Sequence, residues 1–171
     1  SGCLGGGCIN NDSKITTSGG VFFLKWNANC SPDMFLREAE SLSALKKAAC
    51  GQLPVPEVFA SKEVDSTPGF LVLEYLEPGS SKGNTDEVLG RGLATIHQYE
   101  NEKFGFEHNN YCGSTPQDNS WKDNWAAFFR DNRLQFLLDL IQKERPLPAG
   151  EYQLYKRLLE KIPELVPGES T

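Results

Sequence analysis

Near its start the chain carries a glycine-rich turn, Gly5-Gly6-Gly7-Cys8-Ile9-Asn10, and shortly after it an apolar run, Val21-Phe22-Phe23-Leu24, that ends in Lys25. This pairing constrains the fold more than any other feature. Glycines let a backbone turn tightly and aim successive N–H groups at an anion. A lysine at the end of a buried strand is costly unless a negative partner meets it. The pattern predicts two strands, over 8–16 and 20–26, joined by a Thr-Ser-Gly-Gly turn.

The partner for Lys25 is sought in the segment that follows. Ser31-Pro32-Asp33 has the form of a helix start, with a serine cap, proline at the first position and an acid in the first turn. The helix is predicted to run to about Ala49. Phe35, Leu42 and Leu45 fall on one face of it, and Glu38 lies in the middle of that apolar stripe, whereas Glu40 points to solvent. A carboxylate on the core side needs a cation, and Lys25 is the expected one; the alternative is that Glu38 reaches water at the edge of the stripe.

Two more strands are predicted, over 55–61 and 69–76, with a turn at Asp65-Ser66-Thr67-Pro68. The turn-rich Pro78-Gly79-Ser80-Ser81-Lys82-Gly83 marks a boundary. Beyond it the pattern changes to helices. One spans 85–99, with Val88, Leu89, Leu93, Ile96 and His97 near one face. A long one spans 120–142, with Trp121, Trp125, Phe128, Phe129, Phe136, Leu137 and Leu140 as an aromatic stripe read as core. A third runs over 149–161. Residues 104–119 read as a polar loop dotted with aromatics.

Composition excludes some classes. The net charge of −6 argues against a nucleic-acid or anionic-membrane surface, although a local pocket can still hold an anion. No stretch approaches the roughly 20 apolar residues of a membrane span, and no basic-then-apolar leader is seen. The five cysteines, Cys3, Cys8, Cys30, Cys50 and Cys112, match no zinc spacing and read as free thiols of a reducing cytoplasm.

Taken together, GGGCIN, VFFLKWN, MFLREAESLSAL, FLVLEYLEPG, LGRGLATIH, FGFEHNNYCGSTPQDNSW and DNWAAFFRDNRLQFLLDLI resemble the fructosamine kinase (ketosamine 3-kinase) family over nearly all 171 residues. The stretch from Phe104 to Leu134 is the most specific part. The resemblance implies an α+β, protein-kinase-like fold: an ATP-binding lobe over 1–79, with an antiparallel sheet and one helix, and the first helices of a helical lobe over 80–171. It implies an enzyme that uses ATP and Mg²⁺ to phosphorylate the sugar of ketosamines, the adducts of glucose or ribose with amines or proteins, so that the amine is released. Carried over by position, Gly5, Gly6, Gly7 and Cys8 match the phosphate-covering turn, Lys25 the phosphate-binding lysine and Glu38 its partner. Glu74, Tyr75 and Leu76 match the hinge that holds adenine. Gln117, Asp118, Asn119 and Trp121 match the segment that walls the substrate cleft. His97 matches the histidine closing the family's LA.LH helix, where packing is expected rather than catalysis. A kinase of the aminoglycoside or choline type is an alternative, disfavoured by the GSTPQDNSW segment; a non-catalytic ATP-binding or interaction fragment is another.

The pattern departs from the family in one respect. The catalytic H-G-D-x-x-x-x-N loop is absent: the two histidines are followed by Gln98 and Asn109. The expectation is a chain that stops short of that loop and, alone, lacks kinase activity, with no catalytic residue and no metal ligand of its own. Each such group is typically worth on the order of 10² or more in rate. Cys8, in a turn of converging N–H groups near a lysine, is expected to favour a thiolate. It is the candidate for a redox-linked homodimer that would block ATP.

Overall fold

A computed structural model gives the fold and describes residues 2–3, 10–79 and 83–166. The glycine turn with Gly5, Gly6, Gly7 and Cys8 lies outside these residues. The chain forms two compact units, Ser1–Glu100 and Asn101–Thr171.

In the first unit, β1 (Gly2–Cys3), β2 (Asn11–Thr17), β3 (Gly20–Asn27), β4 (Val58–Lys62) and β5 (Gly69–Glu74) form an antiparallel sheet in the order β1-β2-β3-β5-β4. Helix α1 (Met34–Ala49) covers one face, and α2 (Thr85–His97) packs on α1 and so belongs to this unit. The core is Phe35, Leu71 and Leu73, with Phe23, Ala39, Leu42 and Val58 packed around it. Because side chains alternate along a strand, Phe23 and Lys25 share the face that looks at α1. Opposite them in the ladder stand Leu73 and Leu71.

Several boundaries differ from the sequence-based expectation for physical reasons. Helix α1 begins at Met34, and no side-chain cap is made: Ser31 contributes its carbonyl, which accepts from Met34 N at 3.1 Å. Strand β4 begins at Val58 because Pro54 and Pro56 have no N–H to give a ladder. Strand β5 ends at Glu74, so Tyr75 and Leu76 continue as an irregular segment. The 65–68 turn is closed by Asp65 Oδ1, which accepts from Thr67 N at 2.7 Å and Lys62 Nζ at 3.0 Å. These bonds, the Thr67 backbone foremost, hold the Asp65 carboxyl down to about 2. On α2, Val88, Leu89 and Leu93 are 47%, 49% and 44% exposed and His97 is exposed, while the buried residue is Gly92.

In the second unit, the expected 104–119 loop contains a hairpin, β6 (Asn110–Cys112) and β7 (Thr115–Gln117). Its two-residue turn is Gly113-Ser114, with Gly113 at φ 64°, a conformation glycine takes without steric cost. The expected long helix starts later and is not uniform. It consists of α3 (Trp125–Phe128), a π-helical stretch (Phe129–Gln135) and α4 (Phe136–Glu144). Asn124 caps it by accepting from Ala127 N at 3.0 Å, so Trp121 stands before the helix. Helix α5 (Ala149–Leu165) continues past the predicted end, with Pro163 in its last turn. Stacking of Trp125 on Phe128 and Phe129, at centroid distances of 5.7 and 5.9 Å, forms the aromatic part of this unit. No helix among the described residues is long and apolar enough to cross a membrane.

The approach of α2 to the segment after α1 depends on Gly92, where a Cβ would stand 2.1 Å from Leu53 Cγ, whereas a Cβ at Gly90 meets nothing within 4 Å. Gly92→Ala is expected to destabilise the first unit by about 1–3 kcal/mol through overpacking. Gly90→Ala is expected to stabilise it by up to about 1 kcal/mol through helix propensity. Urea denaturation of the two variants reads this opposition, and equal effects would contradict the packing.

Candidate functional site

The site in the first unit is built on the sheet face under α1. Lys25 Nζ donates to Glu38 Oε1 at 2.6 Å, joining the central strand β3 to α1. The side chains are 22% and 30% exposed, so the pair is neither dry nor fully solvated. One ammonium N–H is spent on Glu38, and the other two have no acceptor among the described residues. The pair thus holds a cation in place with donors left to offer.

Sequence reasoning missed Asp12, which stands directly across the β2–β3 ladder from Lys25. Its Oδ1 is buried and has no hydrogen-bond partner among the described residues. The signal was available only in the strand register, because Asp12 falls in an unremarkable polar stretch.

At the far end of β5 the expected hinge residues take distinct environments. Glu74 is exposed and accepts from Glu57 N at 3.1 Å. The ladder with β3 ends at the Phe22–Glu74 pair, so the backbone of Tyr75 and Leu76 lies outside it. Lys14 Nζ sits 3.9 Å over the Tyr75 ring and 3.4 Å from Glu77, and Leu76 is 43% exposed. Lys25 and Glu38 are thereby brought together, while Glu74, Tyr75 and Leu76 follow the same strand pair to its end.

In the second unit, Asn119 is the central polar residue and is only 2% exposed. Its Nδ2 donates to His108 O at 2.9 Å and to Asn110 Oδ1 at 2.8 Å, and its Oδ1 accepts from Arg133 Nη2 at 2.7 Å. Its amide is therefore spent inside the protein. Asp118 accepts from Ser120 N at 2.9 Å and from Ser120 Oγ at 2.5 Å. Burial acts most strongly on Asp118 and pushes its carboxyl up, but the Ser120 bonds with Lys122 and Arg133 together hold it below the ordinary value. The Gln117 side chain makes no bond to a described residue, and Trp121 is 43% exposed.

The residue that ties this segment down is Arg133, on the π-helical stretch. It donates to Asp118 O at 2.5 Å and to Asn132 O at 3.0 Å, and its guanidinium lies 4.5 Å over the Phe128 ring. Burial lowers its pKa, with the Asp118 charge opposing. Asn132, 1% exposed, donates to Ser120 O at 2.9 Å. π-turns inside α-helices recur at functional sites. Here the widened turn carries Asn132 and Arg133 to the irregular segment that leaves the hairpin. No periodicity in the sequence signals this.

The comparisons with known proteins now bear on these features. A family model described as fructosamine kinase matches residues 2–171. The chain belongs to the fructosamine kinase family. It is 34% identical over 168 residues to the chloroplastic protein-ribulosamine 3-kinase of Arabidopsis thaliana, covering 97% of this chain and 49% of that protein. It is 34% identical over 173 residues to the probable ketoamine kinase slr1563 of Synechocystis, covering 97% of this chain and 58% of that protein. A crystal structure assigned as a fructosamine-3-kinase from Thermobifida fusca superposes with a TM-score of 0.81 at 22% identity, over 99% of this chain and 58% of that one. This likeness shows the kinase-like α+β fold. The chain spans about half the length of the curated relatives it matches.

Two predictions follow from the second unit. Asn119→Ala removes three buried bonds and is expected to cost at least about 3 kcal/mol, at about 1–3 kcal/mol for each polar group left unpaired. Hydrogen exchange should rise across 104–124 and leave β2, β3 and β5 unchanged; uniform protection would contradict the network. Asp131 is held below the ordinary carboxylate value chiefly by its hydrogen bond from Arg130, against burial and with help from Lys122. A folded-state value below the unfolded value of about 3.9 stabilises the fold above that pH, and the contribution is lost as pH falls through the lowered value. Asp131→Asn is expected to flatten the acid limb of the stability curve below about pH 4; an unchanged limb would exclude this role.

Proposed function

We propose that the protein serves ATP-dependent phosphorylation of the sugar of ketosamines. What supports this is family membership together with the Lys25–Glu38 ion pair on the sheet face under α1. In this reading residues 1–79 form the ATP-binding lobe and 80–171 open the helical lobe, whose first helix, α2, is packed on α1. Lys25 offers its two unspent N–H groups to the α- and β-phosphates, and Glu38 keeps the ammonium from swinging away. Positioning of this kind is most of what a protein contributes to phosphoryl transfer. Gly5, Gly6, Gly7 and Cys8 cover the phosphates, and Glu74, Tyr75 and Leu76 receive adenine through the backbone beyond the β3–β5 ladder. Gln117, with a free amide, and Trp121, with an exposed ring, are the residues offered to the glycated amine. Asp118 and Asn119 act by holding that segment in shape. ATP supplies the phosphoryl group, and Mg²⁺ accompanies it. A reducing cytoplasm is the proposed setting, and Cys30, Cys50 and Cys112 are free thiols.

These 171 residues contain no His-Gly-Asp sequence to furnish a base. We therefore propose that by themselves they bind nucleotide without transferring phosphate. Thermal unfolding with and without Mg²⁺-ATP tests the binding. At a hundredfold excess over Kd the wild-type protein should gain about 2.7 kcal/mol of stability; Lys25→Met should lose the gain and Glu38→Gln should keep a fraction of it. An undiminished gain in Lys25→Met would refute the role of the lysine. Turnover above background with a fructose-lysine peptide in a coupled ATP-consumption assay would refute the inactivity.

A further inference from the structure

A cavity of about 250 Å³ lies within the second unit, between the β6–β7 hairpin and the helix that follows. Phe136 and Leu137 give it apolar walls, Thr115 and Gln117 line it from β7, Cys112 from β6, and Arg133 from the π-helical stretch. Pockets for drug-sized ligands start at roughly 300 Å³; this one suits a fragment the size of an amino-acid side chain with its polar end.

The polar inventory says what that end must be. The Thr115 hydroxyl and the Gln117 amide make no bond to any described residue, so neutral groups are available. Arg133 has five N–H donors. Two on Nη1 go to Asp118 O and Asn132 O, and one on Nη2 goes to Asn119 Oδ1. Five less three leaves Nε–H and one Nη2–H, carried by the two ends of an N–C–N fork that matches the two oxygens of a carboxylate. All three acceptors already bound are neutral, and no carboxylate among the described residues lies within ion-pair distance of this guanidinium. Asp118, whose charge Arg133 feels, bonds Ser120 through Oδ1 alone. A part-buried cation with two spare donors, beside apolar walls, is an arrangement that an anion with an apolar body completes.

We propose that this cavity binds a small carboxylate with an apolar body, held at Arg133, and that in the function proposed above this ligand is the amino-acid end of a glycated free amino acid. The second clause rests on that function and on the Gln117–Trp121 segment facing the ketosamine. It selects free glycated amino acids over glycated lysine side chains in proteins, whose backbone carboxyl is tied up in a peptide bond. Phe136 and Leu137 then favour apolar side chains such as that of valine.

Cys112 provides the readout, because its thiol is free and exposed on the lining. The 171-residue protein is alkylated in the presence of fructosyl-valine or fructosyl-valinamide, and labelling of each cysteine is followed by peptide mass spectrometry. Cys50, also free and exposed but in the first unit, is the internal control. Fructosyl-valine is expected to slow labelling of Cys112 and not of Cys50. The carboxamide should need about ten- to a hundredfold more for equal protection, the usual worth of a charged hydrogen bond. Changing the ligand rather than Arg133 avoids unfolding the network that Arg133 holds. Equal protection by acid and amide overturns the proposal, as does protection by neither. Nucleotide-induced stabilisation is scored on the same sample. Its loss sinks the kinase reading, whereas absent Cys112 protection with nucleotide binding intact sinks the cavity assignment alone.

Discussion

The contact between Lys25 and Glu38 organises the first unit. It joins the central strand to α1, which covers that face of the sheet, and it does so beside Phe35 and Leu71, both fully buried. A pair exposed to this degree contributes little net stability, because desolvation offsets much of the Coulomb gain. Its value is geometric. The strand register puts Phe23 and Lys25 on one face, and the helical period puts Phe35, Glu38 and Leu42 on the face opposite. The apolar residues make the fold, and the charged pair inserted among them fixes where a cation with spare donors stands.

The second unit repeats the logic with neutral groups. Asn119 and Arg133 knit the hairpin, the irregular segment that leaves it and the π-helical stretch into one piece. A buried polar network of this kind is worth having only when its members are satisfied. Asn119 is satisfied completely, whereas Arg133 and Asn132 each keep a polar function without a described partner. Rigidity and spare bonding capacity therefore sit side by side on the same turn.

What was legible in the sequence follows from which forces leave a pattern. The alternation in 21–25 and the stripe of Phe35, Glu38 and Leu42 are short-range consequences of burial, so β3, α1 and their ion pair could be read directly. The Gly113-Ser114 turn was an available hairpin signal, but three-residue strands carry too few alternating positions to stand out from a loop. The π-helical stretch has no periodic signature. On α2 the apolar residues Val88, Leu89 and Leu93 could be placed on one face, but which side packs was not legible: α2 packs on the side where Gly92 permits close approach to Leu53. Asp12 needed the strand register to be noticed at all. The family resemblance came from long specific segments, and the match over residues 2–171 agrees with it.

The central claim is that Glu38 acts on nucleotide only through Lys25. A double-mutant cycle of ATP affinity, using wild type, Lys25→Met, Glu38→Gln and the double variant in titration calorimetry, measures this directly. The account predicts that Glu38→Gln weakens binding in the wild-type background and has no further effect once Lys25 is gone. Additive losses, or an undiminished effect of Glu38→Gln in the Lys25→Met background, would contradict it.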